Sequence, residues 1–147
     1  MRNVIDTSEL VSFAEVLSSL PDDLKKEQKK FMRKQGSNLR RKTAQQARAT
    51  VRKTAVKRKK YQREAGHYHK SIKRGKLYEE NGAQCIRVYS SDPVAHLIED
   101  GYTPVLRNKR QGEKQQGKKV FEKARGNFES EFESATENMI DEVISNL

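Results

Sequence analysis

Residues 71–89 read SIKRGKLYEENGAQCIRVY, and the fold turns on them. Ser71 to Tyr78 and Ala83 to Tyr89 alternate in polarity and favour β structure. Asn81-Gly82 between them is a strong hairpin signal, because both residues tolerate the positive φ of a type I′ turn. In the second strand Gln84, Ile86 and Val88 project to one face and Cys85, Arg87 and Tyr89 to the other. A hairpin over about 71–89 therefore occupies the middle of the chain, and most of what flanks it reads as helix.

Upstream, Leu10, Phe13, Val16 or Leu17, and Leu20 recur at three or four residues, the spacing of one helical face, with Asp6, Thr7 and Ser8 as N-cap candidates. Pro21 ends that piece, and Asp22 and Asp23 suit the first turn of the next. From Asp22 to about Val56 the residues are mostly helix formers, and Gly36-Ser37-Asn38 is the one strong interruption and a candidate kink. Apolar positions are sparse (Leu24, Phe31, Met32, Leu39, Ala44, Ala47, Val51, Ala55), so this helix is expected to lie across a sheet or another subunit. Arg52 to Arg63 carry seven cations and no acid, a self-repelling run expected to behave as a mobile arm over about 52–65.

Downstream, Ser91-Asp92-Pro93 reads as an N-cap followed by a short helix, Pro93 to Glu99, closed at Gly101. Residues 102–117, with Pro104, Gly112 and Gly117, suit an exposed loop that orders on assembly. From Lys118 onward, Phe121, Ala124, Phe128, Phe132, Ala135, Met139, Val143 and Ile144 form an amphipathic helical stripe. The fold class is thus α+β, with a long N-terminal helix and a C-terminal amphipathic helix packed on a small antiparallel sheet. A length of 147 residues predicts a single domain.

Composition narrows the function classes. Leu, Ile, Val and Phe number 30 of 147 residues, there is no Trp, and mean hydropathy is −1.01, so one copy buries only a small core and neighbouring copies are expected to add stability. No run approaches the ~18 apolar residues of a membrane span, and Met1-Arg2-Asn3 leads into Asp6 and Glu9 instead of an apolar signal core, so no membrane role is expected. The net charge of +11 is segregated. Residues 25–76 hold 21 Lys/Arg against Glu27 and Glu64, while 1–24 hold one Arg against five acids and 121–147 two cations against seven acids. Such a layout suits either phosphates or the opposite patch on another copy.

The sequence holds little that resembles catalytic machinery. No glycine-rich phosphate loop is present. The single Cys85 excludes an internal disulfide and any cysteine-based zinc site within one chain. His67-x-His69 on one strand face, with His96, could offer three imidazoles, but no acidic pair stands beside them to orient the rings, so neither a metal nor another cofactor is expected. A small ribonuclease using His67 or His69 with Glu64 is the weakest reading. Phosphate binding by Lys57, Arg58, Lys59, Lys60 and Arg63 is stronger, although only Tyr61 and Tyr68 lie near for base stacking, so non-specific DNA contact is the most that tract supports.

The segment Ala95-His96-Leu97-Ile98-Glu99 with Gly101 resembles a short-helix pattern, Ala-His-Leu-Val/Ile-Glu-aromatic-Gly, of tailed-bacteriophage minor structural proteins, the gene-ten-like head–tail joining and tail-component family of lambdoid phages. The upstream order is also similar: a short helix, Leu20-Pro21, a long Lys/Ala-rich helix, then Gly66-x-Tyr68-x-x-Ser71-Ile72. Four features depart from the pattern, one of them the unusually basic arm Arg52 to Arg63. Asp100 stands where an aromatic is usual, Ala65 where a threonine precedes the glycine, and Gly117-Lys118-Lys119-Val120-Phe121 where the family has a Pro-rich lead-in to its last helix. The resemblance implies a non-enzymatic virion protein assembled in the bacterial host cytoplasm. It would sit at the neck or tail end in a ring of its own copies, against head-completion or tail-terminator proteins. On that reading Ala95, His96, Leu97, Ile98, Glu99 and Gly101 are candidate subunit or partner contacts, and Lys57, Arg58, Lys59, Lys60 and Arg63 form an arm facing DNA or a partner. A small basic nucleic-acid-binding protein using the 52–63 tract is the alternative.

Overall fold

The computed structural model describes residues 22–51 and 56–146. The short helix expected around Leu10 to Leu20, and Arg52 to Ala55 of the basic tract, lie outside the described residues. Helix α1 (Asp22–Thr50) is continuous through Gly36 and is about 43 Å long at ~1.5 Å per residue. It stops earlier than the expected end near Val56: Val51 N–H still donates to Ala47 O (2.9 Å), and the chain then enters the cationic run, where like charges repel along a helix.

Helix α4 (Val120–Ser145) runs antiparallel to α1, as the facing pairs show: Phe31 lies 6.4 Å from Phe132, ring to ring, and the Lys42 ammonium stands 5.9 Å over the Phe128 ring while pairing with Glu131. The expected stripe is the face that packs. Ala124 and Phe128 are buried, Phe121, Phe132, Ala135, Met139 and Val143 are half-buried, and Ile144, in the last turn, is exposed.

The hairpin is the second layer. Strands β3 (Ile72–Arg74) and β6 (Val88–Ser90) pair antiparallel at its base, and β4 (Tyr78–Glu80) and β5 (Ala83–Cys85) at its tip. The turn is as expected, with Asn81 and Gly82 both at positive φ (52° and 78°). The register changes by one residue between base and tip. Gly75, Lys76 and Leu77 oppose only Ile86 and Arg87, a bulge closed by Gly75 N–H donating to Arg87 O (2.7 Å). The alternation also holds: Ile86 and Val88 are half-buried while Arg87 and Tyr89 face solvent. Gly36 explains how α1 crosses this ribbon closely, since a Cβ there would stand 2.8 Å from Ile86 Cδ1 and 3.2 Å from Arg74 Cδ.

Three further elements were not expected. The basic tract is a ribbon in part, with β1 (Val56–Arg58) pairing β2 (Tyr61–Arg63). His67–Lys70 form a helical turn, α2, and not a strand, entered from Gly66 at φ 71°. Residues 101–117 form an arm: β7 (Gly101–Tyr102) pairs β8 (Gln115–Gln116), Val105 bridges Gln111, and Gly112 N–H donates to Pro104 O (2.8 Å).

Among the described residues the core is small. Ala47, Tyr68, Ile72 and Val120 are almost completely covered, and Val51, Val88, Ala95, Ile98 and Phe121 close around them. It lies where the end of α1, α2, the hairpin base and the start of α4 meet.

Candidate functional site

The motif segment begins with Asp92, which is buried. Its Oδ1 accepts the Val94 N–H (3.0 Å) and its carbonyl the Ala95 N–H (3.1 Å), a turn that leads into the helix, which starts at Ala95 and not at the expected Pro93, with Val94 as its N-cap and no side-chain cap bond. Helix α3 (Ala95–Asp100) follows and Gly101, at φ 85° and ψ 175°, ends it. Ala95 and Ile98 pack on the core cluster, whereas His96 is exposed. Leu97 lines a cleft between Thr50 and Val51 of α1 and Tyr102, Gln115 and Lys118 of the arm.

Glu99 has the most specific role. Its carboxylate accepts the N–H groups of Phe121 and Glu122 (3.1 Å each), two donors at the start of α4 that have no carbonyl one turn earlier to bind. The negative charge also sits at the positive end of that helix. Lys118 and Lys119 N–H groups donate to the carbonyls of Ile98 and Glu99 (2.7 and 3.3 Å), so α3 fixes both the backbone and the first turn of α4. Asp100, where the pattern usually has an aromatic, ion-pairs with Lys119 (3.2 Å). Gly101 and Gly117 permit the crossing, because a Cβ at either would lie 2.3 Å from a backbone oxygen, that of Gln115 or Glu99 respectively. The segment read as candidate contacts thus works first as an internal clasp, with His96 alone turned fully outward.

The basic ribbon presents Lys57, Lys59 and Lys60 to solvent, while Arg58 and Arg63 occupy β1 and β2. Tyr68, counted above as an aromatic near the tract, is 1% exposed and belongs to the core, so it offers nothing to a base. The histidines do not converge: among the described residues no three His, Cys, Asp or Glu side chains stand close enough to hold a metal ion. Cys85 is half-buried, with Sγ 3.6 Å from Ala83 O. No helix among the described residues is long and apolar enough to cross a membrane.

Two surface features escaped the sequence reading. The arm's tip exposes Val105 (73%) and Leu106 (51%) beside Arg107, Lys109 and Arg110. A groove of about 300 Å³ lies between α1, the hairpin and α4, lined by Met32, Leu39, Ile86, Phe128 and Phe132, with Gln35 in its wall. Asn108, a turn-favouring residue between Val105-Leu106 and Gln111-Gly112, held a weak signal for the arm, but nothing local signalled the groove.

Compared with known families, residues 12–101 match the model described as "Bacteriophage HK97-gp10, putative tail-component", more than half of the chain. The chain belongs to the HK97-gp10 family. It is therefore a phage tail-component structural protein of the virion. No curated protein and no solved structure matches the chain. The family match ends at Gly101, so it includes α1, the hairpin and the α3 clasp but not the arm or α4.

Proposed function

We propose that this HK97-gp10 family member acts at the neck of a tailed phage or prophage, joining head to tail through a ring of its own copies docked on head-completion or tail-terminator proteins. The observation that carries the proposal is the family match over the hairpin and clasp. The physical layout supports it. One copy has a core of a few residues, an arm with exposed aliphatic side chains, and charges separated along the molecule. Contacts between unlike faces repeat around a rotation axis and close into rings. The protein works by docking and not by catalysis.

Locating the chain in purified particles tests this. Mass spectrometry of virions should find it, and gold-labelled antibody should mark the head–tail junction. Label along the tail tube, or a chain missing from particles, would overturn the neck assignment.

A second reading has one observation in its favour: Lys57, Lys59 and Lys60 stand exposed on the β1–β2 ribbon. On this reading the isolated protein binds duplex DNA at about 0.15 M salt, with an affinity that falls steeply as salt rises. Lack of binding there would remove it.

A further inference from the structure

We propose that the tip of the 101–117 arm of one copy seats in the groove between α1, the hairpin and α4 of a second copy. This names the surfaces of the ring contact and rests on the ring reading above. Four observations meet here.

The first is the knob. Val105 and Leu106 are adjacent large apolar residues at the end of a two-stranded arm, and their own chain leaves them 73% and 51% exposed. Burying them returns apolar area to a dry environment, and neither lines the groove of its own copy. The second is the hole. Met32, Leu39, Ile86, Phe128 and Phe132 line about 300 Å³ of open groove.

The third is charge. Arg107, Lys109 and Arg110 flank the tip, and among the described residues no ion pair engages them. Glu129 stands at the rim of the groove beside Arg125, and Glu133 follows one helical turn later on α4. Neither acid has an ion-pair partner among the described residues. Residues 126–147 of α4 and its end contain six acids and no Lys or Arg, and although Glu131 already pairs with Lys42 of α1, Glu129 and Glu133 remain to meet an incoming cationic tip.

The fourth is a polar acceptor. Gln35 is 6% exposed, yet its Oε1 has no hydrogen-bond partner among the described residues. Buried amide oxygens are normally satisfied, and Gln35 lines the groove, so an occupant that carries a donor would meet an unfilled acceptor there once a side-chain movement uncovers it. The Asn108 side chain at the arm's tip has such a donor pair to give: its Oδ1 accepts the Arg110 N–H (3.2 Å), and among the described residues no hydrogen bond engages its amide N–H groups. Tip and groove are different patches, so the contact is head-to-tail and propagates from copy to copy.

Disulfide trapping tests the contact on full-length chains in a Cys85→Ser background. One chain carries Leu106→Cys and the other Leu39→Cys, so every 106–39 link joins two copies. The expected result is a 106–39 product several-fold above that of Leu106→Cys with Gly126→Cys, a control on an open surface. Glu129→Lys with Glu133→Lys on the groove chain should suppress the product. Lys109→Glu with Arg110→Glu on the arm chain should then restore it. Met32→Cys gives the same readout should Leu39→Cys fold poorly. A 106–39 yield no greater than the control, a yield unmoved by charge reversal, or a predominant 106–106 link would overturn the proposal. Neck labelling without selective cross-linking retains the assembly role and removes this contact; selective cross-linking without neck labelling does the reverse.

Discussion

Glu99 shows how much one side chain can do in a chain with so small a core. Two N–H donors of α4 depend on its carboxylate, and the groups it leaves behind when removed are the expensive part. Glu99→Ala is expected to lower stability by about 1–2 kcal/mol, read as a shift in the urea midpoint at unchanged slope. Glu99→Gln should cost less, since one amide oxygen still accepts. Glycines give a sharper contrast. At Gly101 a Cβ would collide with backbone and the φ of 85° is costly for any other residue, so Gly101→Ala should cost more than about 2 kcal/mol. Gly126 lies inside α4 with nothing within 4 Å, and Gly126→Ala should raise stability by about 0.5–1 kcal/mol. Thermal unfolding of the two variants should therefore move in opposite directions.

At the level of elements, legibility followed the locality of the signal. The 71–89 hairpin and α4 were readable because a turn dipeptide and a long apolar period are local features. The α3 motif was readable as a helix, and its work as a clasp was not, because Glu99 meets its partners 22 and 23 residues away. The charges of the 52–63 tract predict a mobile arm, whereas residues 56–63 pair as the β1–β2 ribbon. His67-x-His69 failed as a strand pair because Gly66 turns the chain into α2, which buries Tyr68 between the two histidines. The arm read as a featureless loop since its pairing is broken into short bridges. Ile72, at the base of the hairpin, joins the layers: Ile72→Ala should lower stability by about 2–4 kcal/mol, measured by chemical denaturation. Replacing Val105 and Leu106 by Ser should leave the midpoint within about 0.5 kcal/mol while weakening self-association, because both already face solvent.

For the whole molecule, the organisation is a two-helix support carrying a hairpin, with a clasp and an arm at the end where α4 begins. The support spends few residues on a core and leaves charge sorted by region: cations on α1, the 56–63 ribbon and the arm, acids on the far half of α4. Part of that sorting is used within one copy, where Lys42 of α1 pairs with Glu131 of α4, and on the proposed head-to-tail contact the cations of the arm would meet acids of α4 that stay unpaired among the described residues. The same layout makes assembly salt-sensitive, and association measured by sedimentation should weaken as ionic strength rises. The central claim, that an HK97-gp10 family protein with this layout joins head to tail, is tested most directly by deleting the gene from its native phage or prophage and viewing the induced lysate by electron microscopy. The account predicts DNA-filled heads beside separate tails of normal length; intact joined particles would contradict it, and tails of uncontrolled length would move the protein to tail termination.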